Sequence, residues 1–222
     1  MNARCKEIKN VVPAKQDNYT IAVTQAFEKA RMQPEASFCA LGARPLGRHT
    51  YELPVLDSTF TIDMQSCDMV FRMNPSENDS CGAVGVFWRI LALHYLCGAP
   101  ASGAQPMQWA TFSDFQDIRG YESVYKGRVI GRFCATAGRT PDTFRRAATA
   151  NGGVPVPLGD MGYHFQVFPK TPLRIVYYAG DGELPPDASF LYPDNILALL
   201  PLEDVIVLAE GLVSRLQGKG WR

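Results

Sequence analysis

Several signatures that would name a chemistry are missing from this chain. There is no G-x-S-x-G elbow, no Walker loop and no dinucleotide-binding glycine fingerprint. The six cysteines (Cys5, Cys39, Cys67, Cys81, Cys97 and Cys134) form no C-x-x-C pair, which excludes zinc-knuckle and ferredoxin-type spacings. Histidine is scarce, at three residues. Charge of one sign is absent too: 22 basic residues balance 22 acidic ones, so the field that would hold a phosphate backbone is lacking and nucleic acid is not an expected partner. No apolar run approaches the ~20 residues of a membrane helix. The longest candidate, 83–97, is interrupted by Arg89 and His94. The first residues, Met-Asn-Ala-Arg-Cys-Lys-Glu, lack the apolar stretch of a signal peptide, so cytoplasmic residence is the expectation.

What remains is an ordinary globular composition. Across 222 residues, 46% are hydrophobic and 20% charged, enough to bury a full core. The cysteines read as reduced, buried, small apolar residues. Residues 1–15 read as a flexible tail and 16–222 as one domain. Apolar positions from Tyr19 to Met32 recur near helical spacing, and Pro34 stops the run. Three short β-branched or aromatic runs follow at 50–56, 59–63 and 68–73, with turn residues between them, notably Asp57 and Ser58, and they predict a meander of two or three strands. A polar loop at 74–80 offers Asp79 or Ser80 as the cap of a helix from Gly82 to Leu96, which is apolar almost all round and should be central.

Gly98 to Pro106 is a small-residue connector suited to a linker or an active-site loop. Helices are predicted at 121–137 and after Thr140, where Thr140 caps and Pro141 opens the first turn. The runs 163–168 and 173–178 predict a hairpin, and Pro201 to Leu216 a last helix with Glu203 and Asp204 in its first turn, as the helix dipole favours. Strands and helices are segregated, so the fold class is α+β: small antiparallel sheet segments packed on a buried central helix and a C-terminal helix.

Few residues invite a chemical reading, and each has a plainer one. His94 follows Phe87 by seven positions and Ile90 by four, so it shares their stripe on the buried helix. It suits a metal ligand, a general base or an axial ligand to a macrocycle metal, or else a core histidine on a backbone carbonyl. Asp181 and Glu183 stand on a Gly/Pro-punctuated acidic turn at a strand end. One residue apart, they would point the same way in an extended segment, toward a cation or a substrate; the plain alternative is a solvated turn. Asp160 either caps a turn or meets a ligand. Trp109 either stacks on a flat cofactor or covers the core. His49 and His164 lie beside strand-like segments. Met64, Met69, Met73 and Cys67 form a stretch rich in soft atoms whose spacing fits strand packing rather than Cu(I).

Taken in order, Leu93-His94-Tyr95-Leu96, the stretch from Trp109 to Phe112, Gly120-Tyr121, Asp160, the acidic turn at 180–185 and Leu200-Pro201-Leu202-Glu203-Asp204 resemble the family called domain of unknown function 3786, found mainly in anaerobic bacteria and archaea. The resemblance runs from about Ala36 to Leu216 and is strongest after Leu91. In that family the acidic turn usually reads Asp-Glu-Glu-Phe-Pro, so this chain has one carboxylate fewer. Asp194 matches the aspartate of the family's Leu-Phe-Asp stretch. Some members carry an added iron–sulfur domain like that of corrinoid iron–sulfur proteins, a module not expected here.

The resemblance implies a setting, anaerobic redox or one-carbon metabolism, and no particular reaction or cofactor. The expectation is a protein that binds a cofactor or a cofactor-bearing partner, such as a corrinoid or iron–sulfur protein. His94 would be its floor, Trp109 and Tyr121 an aromatic wall, and Asp160, Asp181 and Glu183 polar groups at the rim. Two alternatives stay open: a metal-dependent enzyme using His94, Asp181 and Glu183 on one ion, and a structural subunit with no ligand.

Overall fold

Strict alternation builds the first sheet. In the computed structural model, β2 (Thr50–Val55), β3 (Ser58–Asp63) and β4 (Asp68–Met73) turn Tyr51, Leu53, Val55, Phe60, Ile62, Met69 and Phe71 to the interior. Their partners on the other face are half-exposed or exposed. The β2–β3 turn is Leu56-Asp57, one residue earlier than expected, and Leu56 takes a left-handed φ of 50°. The predicted three-stranded meander is the middle of a larger sheet: β1 (Arg44–Gly47) and β5 (Cys81–Ala83) extend it to the order β1-β2-β3-β4-β5. The structure describes residues 14–73, 80–99, 108–181 and 183–221. The proposed 1–15 tail, most of the 98–106 connector and the candidate cap Asp79 therefore lie outside it, except that α1 already begins at Ala14.

The second sheet also outgrows its prediction. The hairpin exists as β8 (Met161–Phe168) and β9 (Thr171–Tyr178), and it is flanked by β7 (Val154–Val156) on one side and β10 (Asp187–Pro193) on the other. β6 (Trp109–Thr111) pairs with the far edge of β10, giving the order β6-β10-β9-β8-β7, antiparallel throughout. The two sheets meet where the Leu56 amide donates to the carbonyls of Gln166 and Val167, 3.2 Å each.

Helices fill the space between and beside the sheets: α1 (Ala14–Arg31), α2 (Glu35–Ala40), α3 (Val86–Leu96), α6 (Pro141–Ala150), α7 (Ile196–Leu199) and α8 (Leu202–Leu216). Thr140 caps α6 as expected, accepting from the Thr143 amide at 3.2 Å. Helix α3 starts four residues later than its sequence suggested, because residues 81–83 are drawn into the first sheet and Gly85 takes the capping position.

α3 is central. Trp88 meets Phe60, Phe168 and Trp221 edge-on, and Tyr95 stacks on Phe168 at 4.6 Å. It packs antiparallel to α8, and two glycines let the chains close up. A Cβ on Gly211 would stand 2.7 Å from the Trp88 ring, and one on Gly98 would stand 2.5 Å from the Leu199 carbonyl. The buried apolar residues form one continuous core. The fold class is α+β, as its segregated pattern implies.

The helix expected at 121–137 is interrupted. α4 (Glu122–Tyr125) and α5 (Arg132–Ala135) are joined by a π-helical segment, Lys126–Gly131, which includes Gly127 and ends at Gly131. Such segments insert a residue into an α-helix and change which side chains face inward.

Candidate functional site

His94 is not on the buried face of α3. Phe87 is 62% exposed, Ile90 and His94 are partly buried, and Trp88, Leu91, Ala92 and Tyr95 form the inward side. The stripe shared by Phe87, Ile90 and His94 is the outer one, so the all-apolar look of the helix concealed a solvent-facing strip. There the ring meets a partner the sequence had marked only as dipole complement: His94 Nδ1 lies 2.6 Å from Asp204 Oδ2. The side chains are 32% and 13% exposed. With Nδ1–H donating to the carboxylate, the neutral ring carries its lone pair on Nε2, which has no hydrogen-bond partner among the described residues. An imidazole so held is fixed in orientation and tautomer, the usual arrangement behind a metal-ligating or proton-carrying histidine.

The preceding residue of α8 holds Tyr121, whose hydroxyl donates to Glu203 Oε1 at 2.8 Å. That hydrogen bond, with the carboxylate's charge, raises the phenol above the ordinary tyrosine value. Thus Glu203 and Asp204, adjacent in the first turn of α8, bring together two of the predicted residues, His94 and Tyr121. Both carboxylates lie in the Leu200–Asp204 segment that contributed to the family resemblance; the missed signal was their being paired at one helix start.

The acidic turn is elsewhere. Asp181 Oδ1 accepts the amides of Glu183 (3.0 Å) and Leu184 (2.9 Å), which fold the turn and hold its carboxyl below the usual carboxylate range. Asp160 Oδ2 accepts the Ala179 amide at 2.9 Å, and its own amide donates to the Tyr177 carbonyl. Asp160, Asp181 and Glu183 are exposed at the C-terminal end of β9. His94 belongs to the other end: the hydroxyl of its neighbour Tyr95 accepts the amide of Lys170, in the turn that leads into β9. Eight strand residues, roughly 20–25 Å, separate these ends. One ion with bonds of about 2–2.6 Å cannot join His94 to both carboxylates. Among the described residues no three His, Cys, Asp or Glu side chains gather as a metal-holding group.

Trp109 sits on the outer face of the second sheet. The Arg174 guanidinium lies 3.9 Å from its ring centre and the His164 ring meets it edge-on at 5.9 Å. Arg174 and His164 are register partners on β9 and β8. Burial pushes the His164 imidazole below its usual value, and the Arg174 charge adds to this against the Gln166 hydrogen bond. Trp109 and Tyr121 make no ring contact with each other, so they do not form one wall.

Met64 and Met69 are core residues and Met73 packs against the core, as strand packing required. The cysteines differ from expectation. Among those described, Cys39 and Cys81 are exposed thiols and Cys67, Cys97 and Cys134 only half-buried. Cys67 ends up in a hairpin turn at φ 57°, where its sulfur accepts from Arg31 at 2.8 Å.

No helix among the described residues is long and apolar enough to cross a membrane. No curated protein and no solved structure matches this chain. The model of one family does match, over residues 33–215, and that span includes α3, both sheets and the Glu203-Asp204 pair. The chain therefore belongs to the family described as Domain of unknown function (DUF3786).

Proposed function

We propose that the protein binds a cofactor, or a partner that carries one, through Nε2 of His94, with Asp204 holding the ring and Tyr121 beside it on Glu203. The observation that carries this reading is the 2.6 Å contact between His94 and Asp204 on the outer stripe of α3. The donor set also bears on what is bound. One oriented imidazole, with no second and third ligand near it among the described residues, suits a single open position on a metal whose other positions are filled by a macrocycle or a cluster. That chemistry agrees with a corrinoid or iron–sulfur partner in anaerobic redox or one-carbon metabolism, in the cytoplasm. Asp160, Asp181 and Glu183, tied into their own turns at the far end of β9, are left out of the contact; Trp109 contributes through a separate patch.

The test is a metal analysis and absorption spectrum of protein purified without oxygen, followed by titration with aquocobalamin. A visible band or stoichiometric metal, or a shift of the aquocobalamin spectrum toward an imidazole-ligated form, is expected in the native chain and absent in His94→Ala. A spectrum indifferent to that substitution, or no band and no shift at all, would sink the proposal and favour a subunit without a ligand.

A further inference from the structure

The seam between α3 and α8 opens, at the end away from His94, into a cavity of about 300 Å³. That volume is at the lower edge of the range of small-molecule sites. Trp88, Leu91 and Val207 line it, and Phe87 stands exposed in its wall. Polar groups come from the π-helical segment (Arg128), from α5 (Arg132), from α8 (Glu210) and from the chain after it (Lys219). Three cations therefore face one carboxylate.

That carboxylate is already used. Arg128 holds Glu210 through both nitrogens of its fork, with Nη2 at 2.6 Å from Oε2. Arg132 has only neutral partners among the described residues, Ser214 Oγ at 2.8 Å and Gln217 Oε1 at 2.9 Å. A half-buried guanidinium fixed by two neutral acceptors beside an apolar cavity is a charge without a counter-ion among the described residues, and it has donors to spare. Lys219 adds a second positive charge on the same rim. The cavity begins at Leu91 and Val207, about 4.5 Å along each helix from His94 and Asp204, and neither of those two lines it, so the two sites are neighbours built from different side chains.

We propose that this cavity binds a small amphipathic carboxylate, a medium-chain or aryl acid. Its apolar body lies on Trp88, Leu91 and Val207, and its carboxylate pairs with Arg132. Charge complementarity excludes amines, and the apolar floor disfavours small hydrophilic anions.

The experiment is a calorimetric titration of the full chain with octanoate, octanol and octylamine in parallel. Octanoate is expected to saturate at one per chain, at least tenfold more tightly than the other two. Arg132→Gln should reduce octanoate to the affinity of octanol and leave octanol unchanged. Val207→Trp, which fills the cavity, should abolish both, with the circular dichroism spectrum retained in each variant. His94→Ala should leave octanoate binding intact, so failure here and failure of the cofactor contact are separable. Equal binding of octanoate and octanol, no binding by any probe, or octanoate affinity unaltered in both cavity variants would overturn the assignment.

Discussion

Asp204 holds His94 across 110 residues of sequence, and the contact joins the last turn of α3 to the first turn of α8. If the carboxylate orients the ring for a ligand on Nε2, the two residues should fail differently. His94→Ala is expected to remove the aquocobalamin spectral shift. Asp204→Asn should keep the ligand atom but weaken binding about 10–100-fold, the usual effect of losing such a partner. Absorbance titrations of both variants check this; equal, unweakened binding by Asp204→Asn would show that the contact is only structural.

Trp221 should matter more to stability than its place near the end suggests. It is 1% exposed, its indole N–H donates to Ser58 Oγ at 2.9 Å, and Arg215 lies over its ring at 4.4 Å. Trp221→Ala is expected to cost about 3–5 kcal/mol in urea unfolding. Arg215 also pairs with Asp57 at 3.1 Å. Asp57→Asn should cost about 2 kcal/mol, less than for a fully buried pair because Asp57 is partly exposed. A midpoint unchanged in either variant would contradict these contacts.

The pH response of His164 follows from its burial. Its folded value lies below the ordinary histidine value, so the folded chain prefers the neutral ring. This contribution to stability is complete above about pH 6.5 and is lost as the pH falls through the lowered folded value. Proton NMR of the imidazole should place the titration below that of an exposed histidine. Arg174→Gln should move it only part of the way back, since burial is the larger cause.

The acidic turn should behave as a fold element. Asp181→Ala is expected to speed amide exchange at Glu183 and Leu184, whereas Asp181→Asn, which keeps the accepting oxygen, should hold much of the protection. Because the carboxyl titrates below its usual range, the charged form supports the turn above the ordinary aspartate value, and that support fades as the pH falls through the lowered one. Equal exchange in all three proteins would show that the side chain does not shape the turn.

Gly211 is where α8 comes closest to the Trp88 ring of α3. Gly211→Ala sets a methyl group 2.7 Å from the Trp88 ring and is expected to cost about 1–3 kcal/mol by thermal or urea unfolding, despite the helix preference for alanine. A stabilised variant would mean that Trp88 has room to move.

The fold was readable where periodicity is clean. β2 to β4 alternate residue by residue, the β8–β9 hairpin is continuous and apolar, and α8 shows a full stripe from Val205 to Leu216. Short edge strands such as β1, β5 and β7 carry three or four residues each, too few to show a period, and they exist because a neighbouring strand offers hydrogen bonds. The site was readable only in halves. His94 and Tyr121 could be singled out, but what unites them is the meeting of α3, α4 and α8, a tertiary fact. Uniform apolarity also hid which side of α3 faces out, since Phe87 and Ile90 resemble core residues in sequence. Asp181, by contrast, drew attention through local acidity that the turn itself consumes.

The π-helical segment has one more implication. Its wider turn takes up one extra residue, which a regular α-helix would accommodate only by rotating one half about 100° relative to the other. Tyr121 and Tyr125 precede the segment, and Arg132 and Phe133 follow it. The phenol that reaches Glu203 and the guanidinium that reaches Ser214 both meet α8, one from each side of the segment. Deleting one residue from 126–131 should therefore give a more regular helix that still presents both side chains to α8. A residue gained in this segment is absorbed where it stands, so the two contact points on α8 tolerate a change of length between them without losing register.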